Sequence, residues 1–253
     1  MARVKVTRFQ VKREELIIRG KIYGEAEGSK PCVILCHGFM MNHFMCKTYA
    51  IELAEMGYIS VVFDFTGGGP VCLSDGKTED MTLYTEEEDL LAVYEYVISL
   101  PYVDKDNISL LGCSQGGLVA MMAASKLKEK VNKLILLYPG MSIPDHVREG
   151  GILQFTWDKD NVSDVISDGV IKIGRGYVES AIDMDPYEVI RGYGGKVLCI
   201  HGTKDNVVPI SYSRRLKEVY NDFTMHEIDG AGHIFEGEYD IEARMIINRF
   251  MEN

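Results

Sequence analysis

Ile108-Ser109-Leu110-Leu111-Gly112-Cys113-Ser114-Gln115-Gly116, followed by the helix-forming run Leu118-Val119-Ala120-Met121-Met122-Ala123-Ala124, decides how the rest of the chain is read. The first four residues read as a buried strand, and the last seven read as a helix. Between them stands G-x-S-x-G. A strand-to-helix turn this tight forces its central residue into a strained conformation that lifts the side chain clear of the backbone, while the flanking glycines avoid clashes with neighbouring segments. Ser114 is the candidate nucleophile. The five-residue pattern alone is weak, and its place between strand and helix is what gives it weight.

Working outward, the chain opens with a hairpin pattern, Val4 to Val11 and Glu15 to Tyr23, with alternating or β-branched character. Short apolar runs then alternate with helical segments: Cys32 to Cys36, Ser60 to Phe63, Ile108 to Leu111, Lys133 to Leu137 and Val197 to Ile200. Such continuous runs suit strands buried on both faces, which implies a parallel sheet with helices on either side. A last strand, Thr224 to Ile228, and a helix from about Glu238 to Met251 complete an eight-stranded α/β architecture. One connection breaks the rhythm. The stretch between Gly140 and Lys196 is far longer than an ordinary crossover needs, and it holds the lone tryptophan, Trp157, with Phe155, Tyr177 and Met184. Residues 141–185 are therefore expected to form an inserted cap, and residues 1–140 with 186–253 the core.

A serine hydroxyl needs a base within hydrogen-bond reach, and that base needs an orienting carboxylate. His233 lies in the loop Gly230-Ala231-Gly232-His233, after the last strand and before the final helix. Asp205 follows the penultimate strand in His201-Gly202-Thr203-Lys204-Asp205. Ligand sites of open α/β sheets gather at those carboxyl ends. Asp229, four residues before His233, is a weaker candidate acid. Asp64 is read as an anchor for the loop after its strand, and His37 and His201 as holders of loop geometry. Cys32, Cys36 and His37 do not make a zinc site, because alternate strand residues share a face without closing a tetrahedron. Gly67-Gly68-Gly69 lacks the Lys-Ser/Thr that completes a phosphate cradle. No metal and no cofactor are expected.

Composition narrows the class. The 253 residues are 46% hydrophobic, enough for a full core, and carry a formal net charge of −11 without clustered Lys and Arg. Nucleic acid is thereby disfavoured as a partner. The acidic run Glu86-Glu87-Glu88-Asp89 follows Thr85 and reads as a helix start, with Thr85 and Glu88 at capping-box spacing. Met1-Ala2-Arg3-Val4-Lys5-Val6 has no apolar signal core, no segment reaches the ~18 apolar residues of a membrane span, and six cysteines show no framework spacing. A cytoplasmic protein with no membrane partner is expected, and a homodimer is compatible with the reading.

The chain order Ser114, Asp205, His233 is that of the α/β-hydrolase fold, and the chain resembles that superfamily over nearly its whole length. A fourth motif, His37-Gly38-Phe39-Met40-Met41-Asn42, resembles its oxyanion loop. The resemblance implies that the backbone N–H groups of Phe39 and Gln115 form the oxyanion hole. Within the superfamily, the chain is most similar to the bacterial feruloyl (cinnamoyl) esterases. The segments that carry this are His37-Gly38-Phe39 with Asn42, Phe63-Asp64-Phe65 with the glycine loop, Ser74-Asp75-Gly76-Lys77, Met81-Thr82, Ser114-Gln115-Gly116-Gly117, and His201-Gly202-Thr203 with Asp205 and Val208. The implied activity is hydrolysis of aromatic-acid esters, with a small-molecule ester as the partner and Asp145, Trp157 and Tyr177 of the cap as candidates for binding a phenolic ring. Two departures stand out. Cys113 replaces the usual histidine before the nucleophile, and Pro70-Val71-Cys72-Leu73 lengthens the loop after the glycines, which is expected to reshape the pocket rim. The alternatives are a monoacylglycerol-type lipase or acylaminoacyl peptidase with the same core chemistry, and a non-catalytic ligand-binding homologue.

Overall fold

The computed structural model describes residues 4–252; Met1, Ala2 and Arg3, on which part of the leader reading rests, lie outside the described residues. Strands β1 (Val6–Arg13) and β2 (Leu16–Tyr23) pair antiparallel through a tight turn at Glu14, whose φ is +52°. The hairpin sits two residues later than the alternation alone suggests at its first strand. Then follow β3 (Lys30–Cys36), α1 (Lys47–Glu55), β4 (Ile59–Asp64), α2 (Leu83–Ser99), β5 (Val103–Cys113), α3 (Gln115–Leu127) and β6 (Lys133–Leu137). The connection to the next core strand holds α4 (Ile143–Glu149), the two-stranded pairs β7 (Gly151–Ile152) with β8 (Phe155–Thr156) and β9 (Val165–Ser167) with β10 (Lys172–Gly174), then α5 (Arg175–Ala181) and α6 (Pro186–Val189). The chain ends with β11 (Lys196–Gly202), α7 (Ile210–Arg214), β12 (Phe223–Ile228) and α8 (Glu238–Glu252). Among the described residues no helix is long and apolar enough to cross a membrane.

Eight strands form one sheet in the order β1-β2-β4-β3-β5-β6-β11-β12, antiparallel at β1-β2-β4 and parallel from β4 onward. The eight-stranded, mostly parallel sheet expected from the apolar runs is present. Successive side chains of a strand face opposite ways, so each central strand feeds two cores. Cys32, Ile34 and Cys36 of β3 join the face covered by α2 and α3, whereas Val33 and Leu35 join the face covered by α1 and α8. Burying each such side chain contributes about 1.5–3 kcal/mol. The strand numbering reverses at β3, where β4 lies on one side and β5 on the other. Loops leaving β3 and β5 therefore meet at a topological switch point, where α/β sheets place ligands.

The insertion has no separate core. Ile152, Phe155, Ile166, Ile173 and Tyr177 are buried in the same cluster as Leu118 of α3 and Leu90 of α2. Helix α2 also begins earlier than the acidic run suggests. Thr82 is the cap: its hydroxyl accepts from the Thr85 N–H at 3.0 Å, and Thr85 Oγ1 accepts from the Thr82 N–H at 2.8 Å. The expected Thr85–Glu88 capping box is replaced by this Thr82–Thr85 pair, because Leu83 is itself buried and draws the first turn back. The carboxylates then fall along the helix rather than at its tip. Glu86, Glu87 and Asp89 are buried, while Glu88 remains exposed.

Candidate active site

Ser114 joins β5 to α3 with φ +53° and ψ −123°, a backbone conformation costly for any residue with a side chain. The turn is tight enough that a Cβ on Gly116 would lie 2.3 Å from the His37 carbonyl oxygen. Only glycine fits there. The loop after β3 passes equally close, since a Cβ on Gly38 would lie 3.2 Å from Ser114 Cβ. Cys113 points into the α1 side of the sheet and is fully buried with Cys46 and Tyr138, so its thiol does not disturb the turn.

The Ser114 hydroxyl donates to His233 Nε2 at 2.9 Å, and His233 Nδ1–H donates to Asp205 Oδ2 at 2.7 Å. Three strand ends supply these groups: Ser114 follows β5, Asp205 follows β11, and His233 follows β12. The ring of Tyr138, immediately after β6, packs against the His233 ring with centroids 4.9 Å apart and planes inclined at 57°. Asp205 takes four donors. Oδ1 accepts from the Val207 and Val208 N–H groups at 2.8 Å each, and Oδ2 accepts from His233 and, at 3.0 Å, from His201 Nε2. Burial alone pushes this carboxyl up, but hydrogen bonds from His201 and His233, the His233 charge and the Val208 amide together hold it well below the usual carboxylate range. His201 faces acceptors at Nε2 and takes the Ser213 hydroxyl at Nδ1, at 2.7 Å, which fixes its ring. It buttresses the aspartate, a contact that its place before Gly202 did not reveal. Asp229 turns away and accepts from Thr203 Oγ1 at 2.9 Å.

Two amides lie beside the serine. Gln115 is the first residue of α3, so its N–H has no acceptor within the helix. Phe39 follows Gly38 in the close-packed loop after β3, and no acceptor for its N–H occurs among the described residues. That loop is pinned from behind. Asp64 Oδ1 accepts from the His43 N–H and from His43 Nδ1, and Oδ2 accepts from the Leu73 N–H at 2.7 Å. His37, Asp64 and Cys72 bring one ligand atom each to within 4.8 Å of one another. His37 Nε2 accepts from the Phe65 N–H and Nδ1 faces the Gly38 carbonyl, so these groups already serve as loop fastenings.

The three aromatic-ring candidates of the insertion, Asp145, Trp157 and Tyr177, have different surroundings. Tyr177 is fully buried, and its hydroxyl donates to Gln115 Oε1 at 2.7 Å rather than facing a ligand. Asp145 accepts from Tyr212 through Oδ2 and from Arg148 through Oδ1, and those donors, with the Tyr212 bond first, keep it ionised despite partial burial. Both side chains are engaged by protein partners. The physical reason is the same for both: a polar group taken out of water is paired first with its nearest protein neighbour. Trp157 is half-buried, and its indole Nε1 is enclosed without a partner among the described residues. A cleft of about 390 Å³ runs between the insertion and the loop after β11, lined by His146, Gly150, Ile152, Phe155, Asn206 and Val207.

Glu86 is the residue that sequence reading missed. Its Oε2 accepts from Gln115 Nε2 at 2.8 Å. Burial pushes its carboxyl well above the usual range; the Gln115 bond opposes this and the Asp89 charge adds to it. The signal was in the helical period, since Leu83, Glu86, Leu90, Val93 and Val97 recur at the spacing of one buried face.

Known proteins place this arrangement. The model of the prolyl oligopeptidase family matches residues 42–253. Est1E from Butyrivibrio proteoclasticus, solved with ferulic acid bound, is 26% identical and superposes with a TM-score of 0.86 over 96% of this chain and 98% of that one. The AB hydrolase superfamily protein YisY of Bacillus subtilis (strain 168) is 22% identical, over 88% of this chain and 91% of its own. YcjY of Escherichia coli (strain K12) is 27% identical over 62% of this chain, a match that spans 48% of that protein's length. The chain belongs to the prolyl oligopeptidase family and is a hydrolase of the α/β-hydrolase fold.

Proposed function

We propose that the protein is a serine carboxylesterase acting on aromatic-acid esters of the feruloyl or cinnamoyl type. The observation that carries this reading is the unbroken hydrogen-bond chain from Ser114 through His233 to Asp205. His233 takes the serine proton as Ser114 attacks the ester carbonyl, then returns it to the departing alcohol. Asp205 holds the tautomer that leaves Nε2 free to accept, and it stabilises the imidazolium. The Gln115 and Phe39 amides receive the oxyanion; losing one such donor typically costs about 3 kcal/mol of transition-state stabilisation. Water, activated by the same histidine, releases the acid from the acyl-enzyme.

The aromatic-acid preference is supported by the likeness to Est1E, whose structure holds ferulic acid. Residues 141–185 act in this reading as a cap, with the cleft lined by Leu153, Phe155, Asn206 and Val207 as a place for substrate. The family match favours a second reading, a peptidase that cleaves acylated amino ends with the same serine. The test is fluorophosphonate labelling of the wild-type protein and of Ser114→Ala, followed by turnover of methyl ferulate, short acyl esters, a monoacylglycerol and an N-acetylaminoacyl anilide. Labelling that persists in Ser114→Ala would remove the serine mechanism. Turnover of the anilide or the monoacylglycerol with methyl ferulate untouched would remove the aromatic-acid assignment.

A further inference from the structure

Gln115 is fully buried, yet its side chain is held at both ends. Its Oε1 accepts from Tyr177 of α5 at 2.7 Å, and its Nε2 donates to Glu86 of α2 at 2.8 Å, with Met81 Sδ 3.9 Å from the same nitrogen. The two anchors belong to different parts of the molecule. Glu86 lies in the first turns of a core helix, and Tyr177 lies in the insertion. The seam between them is closed by further contacts. The Leu83 N–H donates to Ser180 Oγ of α5 at 3.4 Å, and Gly174, ahead of α5, lies so near Glu79 that a Cβ there would meet the Glu79 carbonyl oxygen at 2.0 Å. Gln115 is also the residue whose backbone N–H points to the serine side of the α3 N-terminus.

We infer that Glu86 is a positioning residue of the oxyanion hole, which with Tyr177 clamps the Gln115 side chain so that the Gln115 backbone N–H is aligned only when residues 141–185 are docked on α2. This rests on the serine-esterase reading above. A buried side chain with both amide ends bonded has one rotamer, and fixing that rotamer fixes the peptide to which it is attached. Glu86 acts without a formal charge partner: among the described residues its titratable neighbours are Asp89, Cys36, Cys72 and Tyr177, none of them a cation, and its Oε1 is enclosed without a partner. A neutral acid or an amide can therefore fill the role, and an aliphatic side chain cannot. Oxyanion donors work only within a narrow range of positions, so a small displacement of one amide is felt in the transition state and not in ground-state binding.

The experiment compares Glu86→Leu, Glu86→Gln, Tyr177→Phe and the double variant Glu86→Leu/Tyr177→Phe, each on a turned-over ester and on an aryl boronic acid that forms a tetrahedral serine adduct. Losing one oxyanion donor outright costs about 10²–10³-fold, so misaligning one through Glu86→Leu is expected to lower kcat by about 10- to 30-fold, with KM within about two-fold. Boronate affinity should fall by the same factor. Glu86→Gln should recover most of the loss, Tyr177→Phe should lose about five-fold, and the double variant should lose less than the product of the two singles because both act on one amide. An unchanged kcat in both Glu86→Leu and Tyr177→Phe overturns the inference, as does a loss carried by KM, multiplicative losses in the double variant, or Glu86→Gln as impaired as Glu86→Leu. If Glu86→Leu does not fold, Tyr177→Phe and Glu86→Gln decide alone. Wild-type protein that fluorophosphonate fails to label at Ser114 sinks the esterase reading instead, whereas labelled wild type with insensitive variants sinks only the role of Glu86.

Discussion

The ends of the core strands carry Ser114, and the insertion of residues 141–185 reaches its neighbour Gln115 through Tyr177, but the two regions are built on different principles. At the strand ends each polar group has its place dictated by a buried backbone: Ser114 by a strained turn between β5 and α3, Asp205 by two amides and two imidazoles, His233 by a loop between β12 and α8. In the insertion, short strand pairs and single turns leave side chains to find partners locally. Asp145 pairs with Tyr212 and Arg148, and Tyr177 pairs with Gln115. The difference teaches that reaction type resides in the sheet, whose geometry few sequences can alter. On the proposed reading, preference among esters would reside in the insertion, whose contacts neighbouring side chains can capture.

Substitutions at the strand ends should therefore lower kcat on every ester alike, and substitutions in the insertion should sort esters from one another. The largest effect is expected for Ser114→Ala, about a million-fold in kcat by comparison with other serine hydrolases, read in burst-free single-turnover assays. Next comes Asp205→Asn, at about 10⁴-fold, because the amide favours the wrong histidine tautomer; a loss below ten-fold would mean that His201 can orient His233 unaided. Leu153→Ala removes apolar surface from the cleft lining, worth about 1 kcal/mol, and should raise KM for methyl ferulate about five-fold while sparing short aliphatic esters. An equal fall in kcat on all esters would erase the distinction between the two regions.

Acidity separates two carboxylates of the core, Asp205 and Glu86. Asp205 is held below its unfolded value of about 4, so its stabilisation is complete above that pH and is lost as the pH falls through the folded value. Glu86 has the opposite sign: its carboxyl is raised, so the folded state holds a proton that the unfolded chain releases above about pH 4.3, and stability declines as pH rises from there. The smallest effect follows from this. Glu86→Gln should raise the urea midpoint at pH 8 relative to wild type and leave it unchanged at pH 4, where both states of the wild type are protonated. A difference independent of pH would show that Glu86 is ionised in the fold.

Much of the core was legible because its signals are local. Five apolar runs fix the parallel strands, G-x-S-x-G fixes the elbow, and the order serine, aspartate, histidine needs only sequence distance. Glu86 was misread because four successive carboxylates look like a solvated helix tip. The burial of Glu86, Glu87 and Asp89 follows from where α2 begins, which its cap Thr82 sets three residues upstream of Thr85. His201 was read as a loop holder, and its bond to Asp205 arises only when residues 202–208 fold back over the end of β11. Asp145 and Tyr177 were named from the resemblance alone, and their partners in the fold, Tyr212 and Gln115, lie 67 and 62 residues away along the chain.

By itself, then, the sequence determined the sheet, the elbow and the three residues that could form a catalytic chain, because hydrophobic periodicity and backbone strain act over a few residues and leave their mark in composition. Tertiary structure alone decided the strand order that brings three strand ends together, the second histidine on Asp205, and the clamp of Glu86 and Tyr177 on Gln115. Those depend on which buried polar groups meet when distant segments pack, and the hydrogen bonds that satisfy them carry no spacing along the chain.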